Sequence, residues 1–186
     1  MTQTGIRRIT IDEFLALPEE RPWKEYLRGE VTEKPMPNDT HGTLVMEIGG
    51  EIRSHLKRTG QGYVSTEVRH ADRTQDWVYL PDIKVHLYGD GPKGPHPHGP
   101  VAVPPDFAIE ILSPSDRVVH WLERVQLYMA AGTRLLWIVD PEEESIRAFR
   151  PGGPTTIHRP GDIIDAEPVL HGFQLDVRAV LELSRR

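Results

Sequence analysis

Cysteine is absent from the 186 residues. Disulfides, thiolate zinc sites, iron–sulfur clusters and thiol nucleophiles are excluded with it. Long apolar runs are missing too: nothing approaches the roughly 20 consecutive residues that span a bilayer. The opening Met1-Thr2-Gln3-Thr4-Gly5-Ile6-Arg7-Arg8 carries no apolar export segment. These shortages read as a soluble, cytoplasmic chain with no membrane partner. There is no Gly-x-Ser-x-Gly elbow for a serine nucleophile, and Gly89-Asp90-Gly91 lacks the Lys-Ser continuation of a phosphate loop. Positive charge is in deficit, with 22 Lys+Arg against 28 Asp+Glu and a net charge of −6. That argues against a protein that coats nucleic acid by charge alone. It does not exclude one that cuts nucleic acid, because a hydrolase holding Mg²⁺ must gather carboxylates.

The length suits one domain of the α/β (α+β) class, residues 1–186, with a short N-terminal helical arm. That arm is expected over Ile9 to Leu17, capped by Thr10 and closed by Pro18. Glu25 to Val31 reads as extended, with the turn residue Gly29 inside it. Leu44, Ile48, Ile52 and Leu56 recur every four residues until Gly60, which predicts an amphipathic helix. Four strand candidates follow: Tyr63 to Val68, Trp77 to Leu87, Phe107 to Leu112 and Leu135 to Val139. The Pro- and Gly-rich stretch near 89–105 has almost no means of forming a core and is expected to be a mobile loop. A second helix is expected from a Ser113 cap and Pro114 to Gly132, with Val118, Leu122, Val125 and Met129 as its apolar stripe. A short meander and a small helix over Val177 to Leu183 complete the chain.

Two carboxylates interrupt apolar strands: Asp82 after Pro81, and Glu110 within Ala108-Ile109-Glu110-Ile111-Leu112. A carboxylate in a buried strand costs several kcal/mol unless it is paired or bound to a cation, so two on neighbouring strands suggest a shared metal. The structural alternative has Asp82 capping a turn and Glu110 pairing with an arginine. Arg117, His120 and Arg124 follow at spacings of three and four, away from the apolar stripe, and would form a basic ridge beside the acidic pair or an ordinary solvated face. His41 beside Gly42 would contact a phosphate or simply start the helix. His96 and His98 lack the preorganised surroundings of a metal site. Trp137 and Tyr128 sit in apolar runs and read as core, whereas Trp121, beside the ridge, would stack on a base or anchor a dimer.

At these residues the sequence resembles the PD-(D/E)XK nuclease superfamily and, within it, the Uma-type family of restriction-endonuclease-like proteins. The similarity runs through Glu25-Tyr26-Leu27-Arg28-Gly29-Glu30-Val31, His41-Gly42, Leu80-Pro81-Asp82-Ile83 and Glu110-Ile111-Leu112-Ser113-Pro114-Ser115. It continues through Leu127-Tyr128-Met129-Ala130-Ala131-Gly132, Leu136-Trp137-Ile138-Val139-Asp140-Pro141 and Pro168-Val169-Leu170-His171-Gly172-Phe173, and covers roughly residues 10 to 182. The resemblance implies a mixed sheet flanked by helices, with Asp82 and Glu110 as catalytic metal ligands and the carbonyl of Ile111 as a third oxygen donor. It implies Mg²⁺ (or Mn²⁺) as cofactor, DNA as substrate and a homodimer. Glu25 and Glu47 are alternative candidates for the glutamate that completes such sites. The family's helix lysine is replaced by Arg124, and an acidic residue one turn earlier by His120. A guanidinium stabilises phosphate charge but stays protonated, so Arg124 is unsuited to be a general base. Two functions follow: a metal-dependent DNA endonuclease, or a catalytically degenerate nuclease fold kept as a DNA- or protein-binding or oligomerisation module.

Overall fold

The computed structural model describes residues 8–89, 94–95, 99–114 and 118–183, with the backbone alone for 118–120 and 183. Arg117, His96 and His98 lie outside the described residues, as does the side chain of His120. Thr10 and Glu13 form a reciprocal capping box that starts α1 (Ile11–Leu15). Helix α2 (Asp39–Thr59) is capped by Asn38, whose side chain accepts the His41 N–H at 2.8 Å. It ends at Gly60, where the backbone turns left-handed and the amide bonds Leu56 O. Leu44, Ile48, Ile52 and Leu56 are all buried, as their four-residue spacing predicts.

Two larger sheets meet beside these helices. The smaller is four-stranded, in the order β2 (Glu30–Glu33), β1 (Lys24–Leu27), β5 (Trp77–Tyr79), β4 (His70–Asp72). The larger is six-stranded, in the order β10 (Thr156–His158), β9 (Ser145–Phe149), β8 (Leu135–Asp140), β7 (Phe107–Ile111), β6 (Ile83–Leu87), β3 (Gly62–Ser65). Its pairs are antiparallel except β7 with β8, which run parallel and are joined through helix α3 (Val118–Ala131). A hairpin of β11 (Ile163–Asp165) and β12 (Gln174–Asp176), with α4 (Val177–Leu183), adds to the core beside α2.

All five residues of β7 are buried, and alternation divides them. Phe107, Ile109 and Ile111 join the core under α2, whereas Ala108 joins the cluster with Val125, Leu127 and Tyr128 of α3. Glu110 therefore faces α3. The register Ile83↔Ile109 and Lys84↔Ala108, continued one step, sets Asp82 opposite Glu110 on that same face.

Several local expectations are revised. Trp77 to Leu87 is not one strand: Leu80-Pro81-Asp82 carries the chain from one sheet to the other, because proline cannot donate to a ladder. Glu25 to Val31 is a hairpin turned at Arg28-Gly29. Helix α3 is described from Val118, with Pro114 in a turn before it, and Leu122 of the expected stripe is 43% exposed; among the helix side chains described, Val125, Leu127 and Tyr128 are buried. The end of the Pro/Gly stretch is anchored, since Val101 is buried and exchanges backbone hydrogen bonds with Arg69 and Ala71.

Candidate active site

The crossover at Leu80-Pro81-Asp82 is gripped from both sides. Glu25, on β1, accepts the Leu80 N–H at 3.1 Å, and Lys34, just past β2, donates from Nζ to the Leu80 carbonyl at 2.6 Å. Asp82 is fixed by three donors' worth of positive potential. Its Oδ2 accepts the Ile111 N–H at 2.8 Å and lies 3.1 Å from His41 Nε2, while Oδ1 lies 2.8 Å from Lys34 Nζ. The ladder's next carbonyl, on Pro81, is taken by the Glu67 N–H, which leaves the Ile111 amide for the carboxylate. Across the gap, Glu110 Oε1 accepts from Tyr128 OH at 2.5 Å and from Arg124 Nη1 at 3.4 Å. Arg124 also binds both oxygens of Glu25, most closely through Nη2 to Oε2. A cavity of about 50 Å³ opens onto Lys34, His41, Asp82, Glu110, Trp121 and Arg124, among others.

Charge explains the arrangement. Burial alone would raise the Asp82 carboxyl, but Lys34, His41 and the Ile111 amide outweigh it and hold the group well below the usual carboxylate range. Burial opposes charge on Lys34 and His41 as well, yet Asp82 wins in both cases and their pKa values are raised. Glu110 goes the other way. Burial is its largest influence, Asp82 and Glu25 add repulsion, and Arg124, already engaged with Glu25, does not compensate; the carboxyl is pushed up to about 7.

These opposite shifts give opposite pH dependences in the metal-free protein. Asp82 contributes stability that is present above its unfolded value of 3.8 and lost as pH falls through its lower folded value. Glu110 contributes stability that is complete below its unfolded value of 4.5 and lost as pH rises towards about 7. Between pH 5 and 8 Glu110 and His41, both with raised pKa values, act in the same direction, and stability falls as pH rises. Urea unfolding in chelator is expected to show wild-type stability declining over that interval and Glu110→Gln flattening the decline. Equal slopes in the two proteins would contradict the assignment.

The donors present suit a hard divalent cation. Asp82 Oδ1 is buried with the Lys34 ammonium 2.8 Å away as its charged neighbour, and a carboxylate oxygen with one such neighbour keeps a lone pair for a cation. Glu110 uses Oε1 for its hydrogen bonds and reaches the same cavity. Among the described residues no group of three or more His, Asp or Glu forms a complete metal cage. Two carboxylates with the remaining positions left to water and substrate is the pattern expected of Mg²⁺ and not of Zn²⁺.

Of the residues singled out from sequence, Asp82, Glu110, Glu25, His41 and Arg124 come together here. Glu47 does not; it lines an outer depression with Asn38, Gly42 and Met46. Arg124 is part of an ion-pair network with Glu25 and Glu110, while its companions in the expected basic ridge, Arg117 and the His120 side chain, lie outside the described residues. Trp121 edges the cavity, with the Arg147 guanidinium 5.5 Å from its ring centre. The pairing of Glu110 with an arginine, foreseen as the structural alternative, is present along with the cavity. Lys34 and Tyr128 were not foreseen. Tyr128 stands one helical turn from Arg124, so the i,i+4 spacing carries its signal. Lys34 lies in a loop without periodicity and has none.

A family model described as "Uma2: Putative restriction endonuclease" matches residues 11–178. The chain belongs to the Uma2 family. No curated protein matches it. Among solved structures, it is similar to a crystal structure, at 1.96 Å, of a "putative nuclease belonging to DUF820" from Anabaena variabilis ATCC 29413. Identity is 28%, the TM-score is 0.83, and the match covers 95% of this chain and 99% of the other. The Uma2 fold is thus a mixed α+β, restriction-endonuclease-like architecture with sheets flanked by helices, and its relatives point to a nuclease-like function. No helix among the described residues is long and apolar enough to cross a membrane.

Proposed function

We propose that this Uma2-family protein hydrolyses DNA phosphodiester bonds with the help of a divalent cation, Mg²⁺ or Mn²⁺. One observation carries the reading: Asp82 and Glu110, on adjacent segments and both buried, face a single cavity. Asp82, Glu110 and the carbonyl of Ile111 would hold the ion. When bound, such an ion supplies Lewis acidity to a phosphate oxygen and lowers the pKa of water. The chain's own groups prepare the site. Lys34 and His41 keep Asp82 ionised, Tyr128 and Arg124 fix the rotamer of Glu110, and Glu25 ties Arg124 to the crossover. In the reaction a water oxygen bonds to phosphorus and one P–O ester bond breaks. One proton leaves the water and one arrives on the departing oxygen, so charge and atoms balance.

Incubation of supercoiled plasmid with the wild-type protein tests this. Nicking or linearisation that depends on Mg²⁺ or Mn²⁺ and stops with chelator is expected; unchanged DNA across supercoiled, linear and single-stranded substrates would overturn it. A second reading, a degenerate nuclease fold that binds without cutting, draws support from the way Lys34 and Arg124 already neutralise the carboxylates.

A further inference from the structure

Hydrolysis of a phosphodiester builds negative charge on the phosphate oxygens, and a site that accelerates it aims positive donors at them. Among the described residues, two permanently cationic side chains line this cavity, Lys34 and Arg124. Their commitments differ. Arg124 is shared between two buried carboxylates, with Nη1 3.4 Å from both Glu25 Oε1 and Glu110 Oε1 and Nη2 on Glu25 Oε2. Turning it towards a ligand would strand both acids in a low-dielectric interior. Lys34 spends one N–H on the Leu80 carbonyl and a second on Asp82 Oδ1, 2.8 Å away. An ammonium has three donors, so the third stays available to an incoming anion.

Position favours Lys34 as well. It lines the cavity from the chain just after β2 and lies 2.8 Å from Asp82 Oδ1. An ammonium held by the carbonyl of Leu80 sits beside Asp82 without needing Asp82 as its anchor. We infer that Lys34, and not Arg124, is the cation that faces the scissile phosphate, donating N–H bonds to its nonbridging oxygens while Arg124 holds Glu25 and Glu110 in place.

This inference rests on the metal-dependent nuclease reading, and its test separates the two. Wild type, Asp82→Asn, Lys34→Met, Lys34→Gln and Lys34→Arg are compared for Mn²⁺-dependent nicking of supercoiled plasmid, for Mn²⁺ affinity by calorimetry and for thermal unfolding. Lys34→Met and Lys34→Gln are expected to lose nicking by about 100-fold or more. Both should bind Mn²⁺ at least as tightly as wild type, because a cation has been removed from Asp82. Lys34→Arg, which restores the charge, should recover most of the loss. The Gln variant keeps a donor for the Leu80 carbonyl and serves if the Met variant unfolds. A folded Lys34→Gln that binds Mn²⁺ and nicks within about threefold of wild type would overturn the inference and leave the nuclease reading standing. A wild type no more active than Asp82→Asn would overturn both.

Discussion

Asp82→Asn is expected to reduce divalent-dependent plasmid cleavage by at least about 100-fold, since the Lewis acidity of a correctly held ion is worth several kcal/mol of barrier. Asparagine keeps an oxygen for the Ile111 N–H, so the local backbone should hold. Its neutral amide loses the charge that attracts both Lys34 and the divalent ion, and some thermal stability should go with it. Glu110→Gln separates chemistry from folding. Its amide oxygen still accepts from Tyr128, and removal of a buried carboxyl whose pKa stands near 7 relieves the protein at pH 8. That variant should be at least as stable as wild type at pH 8 and still lose cleavage to a similar extent. Cleavage within a few-fold of wild type in both variants would show that these carboxylates do not carry the reaction.

The largest stability effect should come from Arg124→Met. The guanidinium is the shared partner of Glu25 and Glu110, which are 5% and 6% exposed. Breaking a buried pair from one side costs about 3–5 kcal/mol, because the other side is left charged and unsolvated. Here two acids are left, and Glu25 also holds the Leu80 N–H at the crossover between the sheets. The deficit should therefore be near the upper end of that range at pH 8 and should shrink at pH 5, where the orphaned carboxyls can take up protons. Adding Glu110→Gln to Arg124→Met should recover part of it. Chemical denaturation of the single and double variants at both pH values checks this; a loss below about 1 kcal/mol at pH 8 would mean that the network is solvated.

Much of the site's skeleton is legible in the sequence because it obeys period and polarity. Leu44 to Leu56 repeat every four residues and form the helix that carries His41 in its first turn; Glu110 breaks an apolar strand and so announces a buried charge. Asp82 after Pro81 reads as an interruption, but the sheet change at that point does not, since a strand-like composition on both sides hides which partners each half will find. Glu25 and Glu47 look alike as candidates until tertiary packing brings β1 against β5 and leaves Glu47 outside. Leu122 fits the apolar stripe of α3 yet is exposed, because the helix turns Arg124 and Tyr128 inward to meet Glu110. Electrostatics overrides hydrophobic pattern there. Lys34 escapes notice because a lysine in a proline-rich loop is ordinarily solvated, and nothing local signals that a carbonyl and a carboxylate await it.

The most direct test is a calorimetric titration of Mn²⁺ into the wild type and into Asp82→Asn at pH 8, each verified as folded. The account predicts saturable binding in the wild type that disappears in the variant. Binding of equal strength in both proteins would place the ion elsewhere and contradict the role given to Asp82.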